Sequence, residues 1–164
     1  KGVIKKINII ARDINYKNLL FDEIELDSNE IKINFHLKNK EFTLKNNFIV
    51  NFKISLSENS LKTILLSNDW DWIGRMITID LLNKDKLEDI NIKNNQLIIK
   101  GLKYINPLNV GQKVNLKAKN GKIYLENKTD NKSITIPIEE KVYIKSINIE
   151  NNYIIIFAKS SVSF

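Results

Sequence analysis

The sequence predicts an α+β protein that is mainly β, with a long twisted antiparallel sheet packed on two amphipathic helices at about residues 57–83. Most of the chain alternates apolar and polar residues with period two, and its apolar positions are rich in β-branched isoleucine, as in half-buried strands. Between residues 57 and 83 the period becomes helical. At 164 residues, the chain is expected to form a single domain spanning 1–164.

Strands are predicted first in the N-terminal third of the chain. There, large apolar side chains fall on one face of each segment, and Lys, Asn or Asp mostly on the other. The clearest apolar rows are Ile7, Ile9 and Ala11; Ile31, Ile33, Phe35 and Leu37; and Phe48, Val50, Phe52, Ile54 and Leu56. These segments are typical of strands with one buried face.

The helical segment is predicted to contain two helices. Ser57 is the expected N-cap of the first, with Glu58 favourably placed in its first turn. Asp69 is the expected N-cap of the second. The apolar residues of the first helix are Leu61, Ile64 and Leu65. Along one side of the second helix lie Trp70, Ile73, Ile77 and Leu81, and further apolar residues lie off that side: Trp72, Met76 and Ile79. The second helix therefore needs broad cover, from a sheet, a partner or a membrane.

Three residue pairs in the second half predict two-residue hairpin turns: Asn94-Asn95, Asn120-Gly121 and Asn151-Asn152. Each turn predicts a register in which apolar residues face each other. The predicted partners are Ile92 with Leu97, Ile90 with Ile99, Ala118 with Ile123, Leu116 with Leu125, Ile149 with Ile154, and Ile147 with Ile156. The unequal spacing of the turns predicts a β-meander rather than a propeller or solenoid.

The last predicted strand is apolar on both faces. Tyr153, Ile155 and Phe157 face one way, and Ile154, Ile156 and Ala158 face the other. The pattern fits a central strand covered by protein on both sides. It fits equally well a strand with the core on one side and protein or a lipid-filled groove on the other.

The net charge of +7 comes from 26 basic and 19 acidic residues, and it favours anionic partners. Ile, Asn and Lys are over-used, as in the product of an AT-rich genome, so the charge alone names no partner. The excess is local, because residues 91–132 carry 9 lysines against Glu126 and Asp130. Four of these lysines share one predicted hairpin face: Lys113, Lys117, Lys119 and Lys122. That face would either attract anionic lipid headgroups or form a solvated surface that prevents edge association.

The residue inventory predicts a protein that is not an enzyme and holds no metal or cofactor. Cysteine is absent, and the single histidine, His36, falls on the polar face of its strand. No Gly-rich phosphate loop, HExxH motif or calcium loop is present, and no RNP-like motif indicates nucleic-acid binding. No apolar run approaches the roughly 20 residues of a membrane span.

The order of motifs resembles that of the LmeA-like phospholipid-binding proteins of actinobacteria and cyanobacteria. The resemblance rests on the run Gly2–Ala11, on Tyr16 with Leu19, Ile24 with Leu26, Ile31 with Ile33, Phe48 with Val50, and on Leu56-Ser57-Glu58 followed by Leu61 and Leu65. Asn18 stands where the family turn has glycine, and Asn tolerates the same positive φ. The Ile/Asn/Lys-rich composition is more similar to that of a cyanobacterial member than to that of an actinobacterial one.

The resemblance implies binding of anionic phospholipid without catalysis, in a curved sheet that encloses helices as in tubular lipid-binding folds. It also implies a helical segment before Lys1, so that the chain is expected to be truncated there. A peripheral membrane location is implied, with the cytoplasmic side favoured over the cell envelope.

The leading hypothesis is therefore that acyl chains lie between the sheet and the helices. The candidate lining residues are Leu61, Ile64, Leu65, Trp70, Ile73, Met76, Ile77, Tyr153, Ile155 and Phe157, and the candidate headgroup or membrane-surface residues are Lys113, Lys117, Lys119 and Lys122. The alternative is a structural or protein-interaction domain of an oligomeric envelope or membrane-associated assembly. Nucleic-acid binding ranks third.

Overall fold

The computed structural model describes residues 2–36, 41–44, 47–105 and 110–162. The first half holds β1 (Gly2–Ile4), β2 (Ile7–Tyr16), β3 (Leu19–Ser28), β4 (Ile31–His36), β5 (Glu41–Leu44) and β6 (Phe48–Leu56). A helical segment follows, with α1 (Glu58–Leu66), α2 (Asp71–Met76) and a π-helical turn (Ile77–Leu81). The second half holds β7 (Lys86–Lys93), β8 (Gln96–Leu102), β9 (Gln112–Lys119), β10 (Lys122–Asn127), β11 (Lys132–Ile136), β12 (Val142–Glu150) and β13 (Tyr153–Val162). The mainly β class is confirmed.

The described strands form three antiparallel sheets instead of one long sheet. A five-stranded sheet, called here the long-stranded sheet, has the order β12-β13-β6-β3-β2. A second five-stranded sheet, the meander, has the order β11-β10-β9-β8-β7, and a small sheet has the order β1-β4-β5. The chain leaves the long-stranded sheet after β6, forms the helical segment and then the meander, and returns to the long-stranded sheet with β12 and β13. The helical segment therefore separates β6 of the long-stranded sheet from β7 of the meander in sequence.

The hairpin registers are confirmed at all three predicted turns. Ile92 pairs with Leu97, Ala118 with Ile123 and Ile149 with Ile154, and the inner partners Ile90–Ile99, Leu116–Leu125 and Ile147–Ile156 also match. The turn residues have positive φ, from 51° at Asn151 to 76° at Gly121. Type I′ turns need this backbone conformation, and Asn and Gly tolerate it best. The turn between β2 and β3 is built in the same way, with Asn18 at φ 61°.

The first helix begins as predicted, while the second does not. Ser57 Oγ accepts a hydrogen bond from the Ser60 backbone N–H at 3.2 Å, and an Asp22 carboxylate oxygen accepts one from the Ser57 N–H at 2.6 Å. The predicted Asp69 cap is wrong, because α2 begins at Asp71 and no side chain caps it. Asp69 instead accepts a hydrogen bond from the Asn18 side chain at 2.5 Å, which ties the helical segment to the β2–β3 turn.

The core lies between the long-stranded sheet and the meander, and the helical segment packs against both. The two sheets touch where β12 passes beside β9, and there the Ile144 N–H donates to the Gly121 carbonyl at 2.9 Å. Close contact also fixes the helices: a Cβ on the buried Gly74 would lie 2.8 Å from the Leu65 carbonyl oxygen. The two helices are therefore packed closely against each other.

Some predicted apolar rows are covered less than expected. Ile31 is buried, but Ile9 on the edge strand β2 is 51% exposed. The predicted Leu37 of the β4 row and Lys1 lie outside the described residues, and the side chain of Phe35 is not described.

Candidate functional site

An apolar cavity of about 410 Å³ lies between the long-stranded sheet and the meander. Every side chain that lines it is aliphatic or aromatic. The helical segment contributes Leu61, Ile64, Leu65, Ile73 and Ile77, which were all predicted to line an apolar space. They do so because period 3.6 places them on the helical face turned toward the sheets.

Two predicted lining residues of the helical segment lie elsewhere. Trp70 is half-buried beside the core, and its indole N–H donates to the Lys17 carbonyl at 2.8 Å in the β2–β3 turn. Met76 is half-buried at the end of α2 and does not line the cavity. Met76 lies off the predicted apolar line of the second helix, whereas Ile73 and Ile77 on that line do contribute to the cavity.

The predicted lining residues of β13 lie on the face of the sheet that is turned away from the cavity. Ile154, Ile156 and Ala158 line the cavity, whereas Tyr153 and Phe157 are 41% and 38% exposed on the outer side with Ile155. Ile156 pairs with Ile54 of β6 and Ile147 of β12, which both point inward, and this register decides the face. Because both faces of β13 are apolar, the sequence pattern alone could not choose between them.

Most of the cavity wall comes from strands that the sequence did not assign to it. Their common signal was the period-two apolar pattern, which predicts a buried face and does not distinguish packed core from cavity wall. These residues are Leu19, Phe21, Phe52, Ile54 and Leu56 from the first half, and Leu97, Ile99, Leu116, Ile123, Leu125, Ile136, Ile138, Val142, Ile144 and Ile147 from the second.

A second depression, the basic groove, has a volume of about 530 Å³ and is lined by residues of β8, β9 and β12 together with Asn95 and Lys128. Its charged lining residues are Lys113, Lys117, Lys128 and Glu150. Neutral amides complete the polar lining: Asn95, Gln96, Asn115 and Asn148. The groove therefore combines three ammonium groups and several amide donors with one carboxylate.

The four predicted surface lysines are all exposed, but the structure divides them into two pairs. Lys113 and Lys117 line the basic groove, and Lys117 forms an ion pair with Glu126 at 2.6 Å. Lys119 and Lys122 face each other at the β9–β10 turn and do not line the groove. Lys128, which follows β10, joins the first pair although the sequence pattern did not single it out.

The apolar cavity and the basic groove share a wall. Leu97, Leu116 and Ile147 line both of them. The reason is that the pairing of β8 with β9 stops at Leu97 opposite Val114, next to the β7–β8 hairpin turn from which β8 begins. Beyond this point β12 lies beside β9 in place of β8, and the Gly121–Ile144 bridge joins β12 to the β9–β10 turn. The three shared residues therefore lie between the cavity and the groove.

Charged groups of α1 cover the free edge of the meander at β7. A Glu58 carboxylate oxygen accepts a hydrogen bond from the Ile92 N–H at 2.7 Å, and Lys62 lies 3.0 Å from both Glu58 and Asp89. The bond from Ile92, followed by that from Lys62, lowers the pKa of Glu58, and the bond from Lys62 lowers the pKa of Asp89. These contacts attach the helical segment to the sheet and lie away from both depressions.

Other candidate chemistry is not assembled in the described part of the chain. His36 is exposed, with Nε2 3.1 Å from Thr43 Oγ1. Across residues 2–36, 41–44, 47–105 and 110–162, no group of three or more His, Cys, Asp or Glu side chains lies close enough to hold a metal ion. No helix in these ranges has the length and apolar character needed to cross a membrane.

Comparison of the chain with models of known families, with curated proteins and with solved structures finds no match. The resemblance to LmeA-like proteins therefore stays a prediction from the sequence. The geometry of the apolar cavity and the basic groove is the basis for assigning a function.

Proposed function

We propose that this protein binds an anionic phospholipid, without changing it chemically, at or near a membrane surface. The supporting observation is that an apolar cavity shares a wall with a lysine-lined groove. A phospholipid has the same division, with an apolar chain next to a charged headgroup. The resemblance to LmeA-like proteins points to the same ligand class and favours the cytoplasmic side over the cell envelope.

The cavity suits an acyl chain. Its volume of about 410 Å³ lies in the lower part of the range for ligand pockets, which is roughly 300–1,000 Å³. Its lining offers no hydrogen-bond partner, so a polar ligand would lose its contacts with water there. Each buried methylene contributes about 0.8 kcal/mol, so that eight would contribute roughly 6 kcal/mol before the cost of binding is subtracted.

The exposed lysines of the meander suit contact with an anionic membrane surface. A lysine near an anionic bilayer contributes about 1 kcal/mol, and the attraction falls as salt screens it. The proposed attachment is therefore reversible and strongest at low salt.

Vesicle binding by delipidated protein tests this function. We expect binding to phosphatidylglycerol vesicles at low salt, weaker binding to phosphatidylcholine vesicles, and a retained phospholipid in native mass spectra of protein from its own host. Absence of binding to phosphatidylglycerol vesicles would contradict the proposal. A steep salt dependence with DNA but none with anionic vesicles would instead favour nucleic-acid binding.

A cavity-filling variant tests the acyl-chain site directly. Ala158 is 2% exposed and lines the cavity, so Ala158→Leu should weaken lipid binding by occupying part of its volume. Ala11→Leu is the matched control, because Ala11 lies on the edge strand β2 outside the cavity. Circular dichroism and thermal midpoints report whether both variants fold. Equal lipid binding by two folded variants would argue against the cavity as the site.

The second candidate function is a structural or protein-interaction domain in an oligomeric assembly. The observation that favours it is that Ile9 and Ile10, on the edge strand β2, are each 51% exposed. Exposed apolar edge strands tend to pair with another chain. Light scattering of the delipidated protein distinguishes the candidates: a stable oligomer that binds no vesicle would favour this one.

A further inference from the structure

We infer that the basic groove is the binding site for the phosphate of the lipid headgroup, and that the acyl chain passes from it into the cavity beside Leu97, Leu116 and Ile147. This inference rests on the proposed function and makes it more specific. It replaces a flat lysine-covered surface with a defined site in which Lys113, Lys117 and Lys128 contact the phosphate.

The position of the groove is the first support. Leu97, Leu116 and Ile147 separate it from the apolar cavity at the place where the β8–β9 pairing stops and β12 lies beside β9. A ligand with a charged head and an apolar tail could place the two parts on opposite sides of this wall. Lys119 and Lys122, at the β9–β10 turn, line neither the groove nor the cavity.

The charge of the groove is the second support. Within the described ranges, Lys113 and Lys128 form no ion pair, and Lys117 is paired with Glu126 alone. Glu150 is the one acidic side chain in the lining. Because Glu126 already balances Lys117, the ammonium groups of Lys113 and Lys128 around the Glu150 carboxylate leave an excess of positive charge, which an anionic phosphate would balance.

The neutral amides are the third support. Asn95 Oδ1 accepts a hydrogen bond from the Asn152 N–H at 3.3 Å, and among the described residues the Asn95 amide nitrogen donates to no group. Asn115 and Asn148 add amide groups on β9 and β12. Such donors complement the oxygen atoms of a phosphate ester, while the lysines supply the charge.

The test compares two double variants that remove the same charge from different places. Lys113→Gln with Lys128→Gln changes the groove, and Lys119→Gln with Lys122→Gln changes the neighbouring turn. The full chain is titrated calorimetrically with three probes below their aggregation limits: a lysophosphatidylglycerol, an uncharged monoacylglycerol of equal chain length, and inorganic phosphate. Thermal midpoints confirm that each variant folds.

We expect the groove variant to bind the lysophospholipid at least about 30-fold more weakly than the unchanged chain, since each charge-assisted hydrogen bond is worth roughly tenfold in affinity. The turn variant should stay within about threefold, because it removes only distant, screened charges. Monoacylglycerol binding should be the same in all three proteins. Glu150→Gln should act in the opposite direction and tighten lysophospholipid binding.

The outcomes separate the two proposals. Equal losses in the groove and turn variants would overturn the groove site while leaving lipid binding intact. Monoacylglycerol bound as tightly as the lysophospholipid would also overturn it. Inorganic phosphate bound as tightly as the lysophospholipid would show that the groove is a site for a free anion. If the unchanged chain binds neither lipid, the proposed function itself fails.

Discussion

The two large sheets have similar inner faces and very different outer faces. Both turn isoleucine and leucine toward the apolar cavity. On the outer face of the long-stranded sheet, however, the basic side chains have partners. Arg12 pairs with Glu23 and Lys53 with Glu25, Lys145 donates to Asn51, and Lys159 lies over the Tyr143 ring.

The meander leaves several lysines without such partners in the described part of the chain: Lys113, Lys119, Lys122 and Lys128. A basic side chain that is paired with a carboxylate, as Arg12 and Lys53 are, contributes little to the attraction of an anion, because the carboxylate balances its charge. The comparison therefore favours the meander over the long-stranded sheet for the proposed contact with an anion, although both outer faces carry many charged residues.

The largest expected effect tests whether the inner face of the meander carries more stability than the exposed edge of the long-stranded sheet. Ile90 of β7 is 1% exposed, and Ile9 of β2 is 51% exposed. Ile90→Ala should lower the free energy of unfolding by about 3 kcal/mol, through lost apolar burial and a new cavity. Ile9→Ala should change it by less than about 0.5 kcal/mol. Urea denaturation measures both, and equal losses would show that β2 is covered in solution.

The next effect concerns the helical segment that joins the two sheets. A Cβ at Gly74 would lie 2.8 Å from the Leu65 carbonyl oxygen, whereas at Gly2, in the small sheet, the nearest atom would be 3.4 Å away. Gly74→Ala should lower the free energy of unfolding by about 2 kcal/mol, because backbone must shift to relieve the contact. Gly2→Ala should be nearly neutral. Thermal unfolding of the two variants gives the comparison, and a neutral Gly74→Ala would mean that α1 and α2 separate easily.

The smallest effect is a difference in pH dependence between the two sheets. The Glu58 pKa is lowered from its ordinary value of 4.5, mainly by the Ile92 N–H, and a lowered carboxyl pKa stabilises the fold above the unfolded value. Glu58 should therefore add about 1 kcal/mol to the free energy of unfolding, and this amount should be lost as the pH falls below 4.5 through the folded pKa. In Glu58→Gln, this acid-induced loss of stability should be absent. Acid titration of unfolding in urea measures it.

The matching pair on the long-stranded sheet should respond at the other end of the pH range. The hydrogen bond from Lys53 to Glu25 raises the pKa of Lys53 above its ordinary value of 10.5, so its contribution is present below that pH and lost as pH rises through the folded pKa. Because both side chains are partly exposed, the effect is weaker than that of Glu58. For the Glu58 prediction, the contradicting result is a Glu58→Gln variant that loses as much stability in acid as the unchanged chain. It would mean that the hydrogen bond from the Ile92 N–H contributes no stability.

Local features of the fold could be predicted because they depend on residues close in sequence. The Asn120-Gly121 turn sets its own register, since positive φ at both positions closes a two-residue loop. Ser57 caps α1 through a contact with Ser60, three residues away. Asp69 was assigned wrongly because its partner, Asn18, lies in another hairpin and competes with the cap.

The candidate site was predicted only in part, for the same reason. Leu61, Ile64 and Leu65 line the cavity because helical spacing alone selects their face. Lys128 was missed because it follows β10 and meets Lys113 only through the folding of the meander. The two faces of β13 are equally apolar, so its inward face depends on pairing with β6, about one hundred residues earlier in the chain.

The sequence by itself determined the mainly β class, the hairpins and their registers, and the concentration of positive charge in residues 91–132. These properties follow from alternation, turn chemistry and composition, which act over a few residues. Only the tertiary structure decided that the strands separate into two large sheets around a cavity, which face of β13 lines it, and which lysines gather in a groove. Those outcomes depend on where the β8–β9 pairing stops and β12 lies beside β9, a contact between strands that no local pattern specifies.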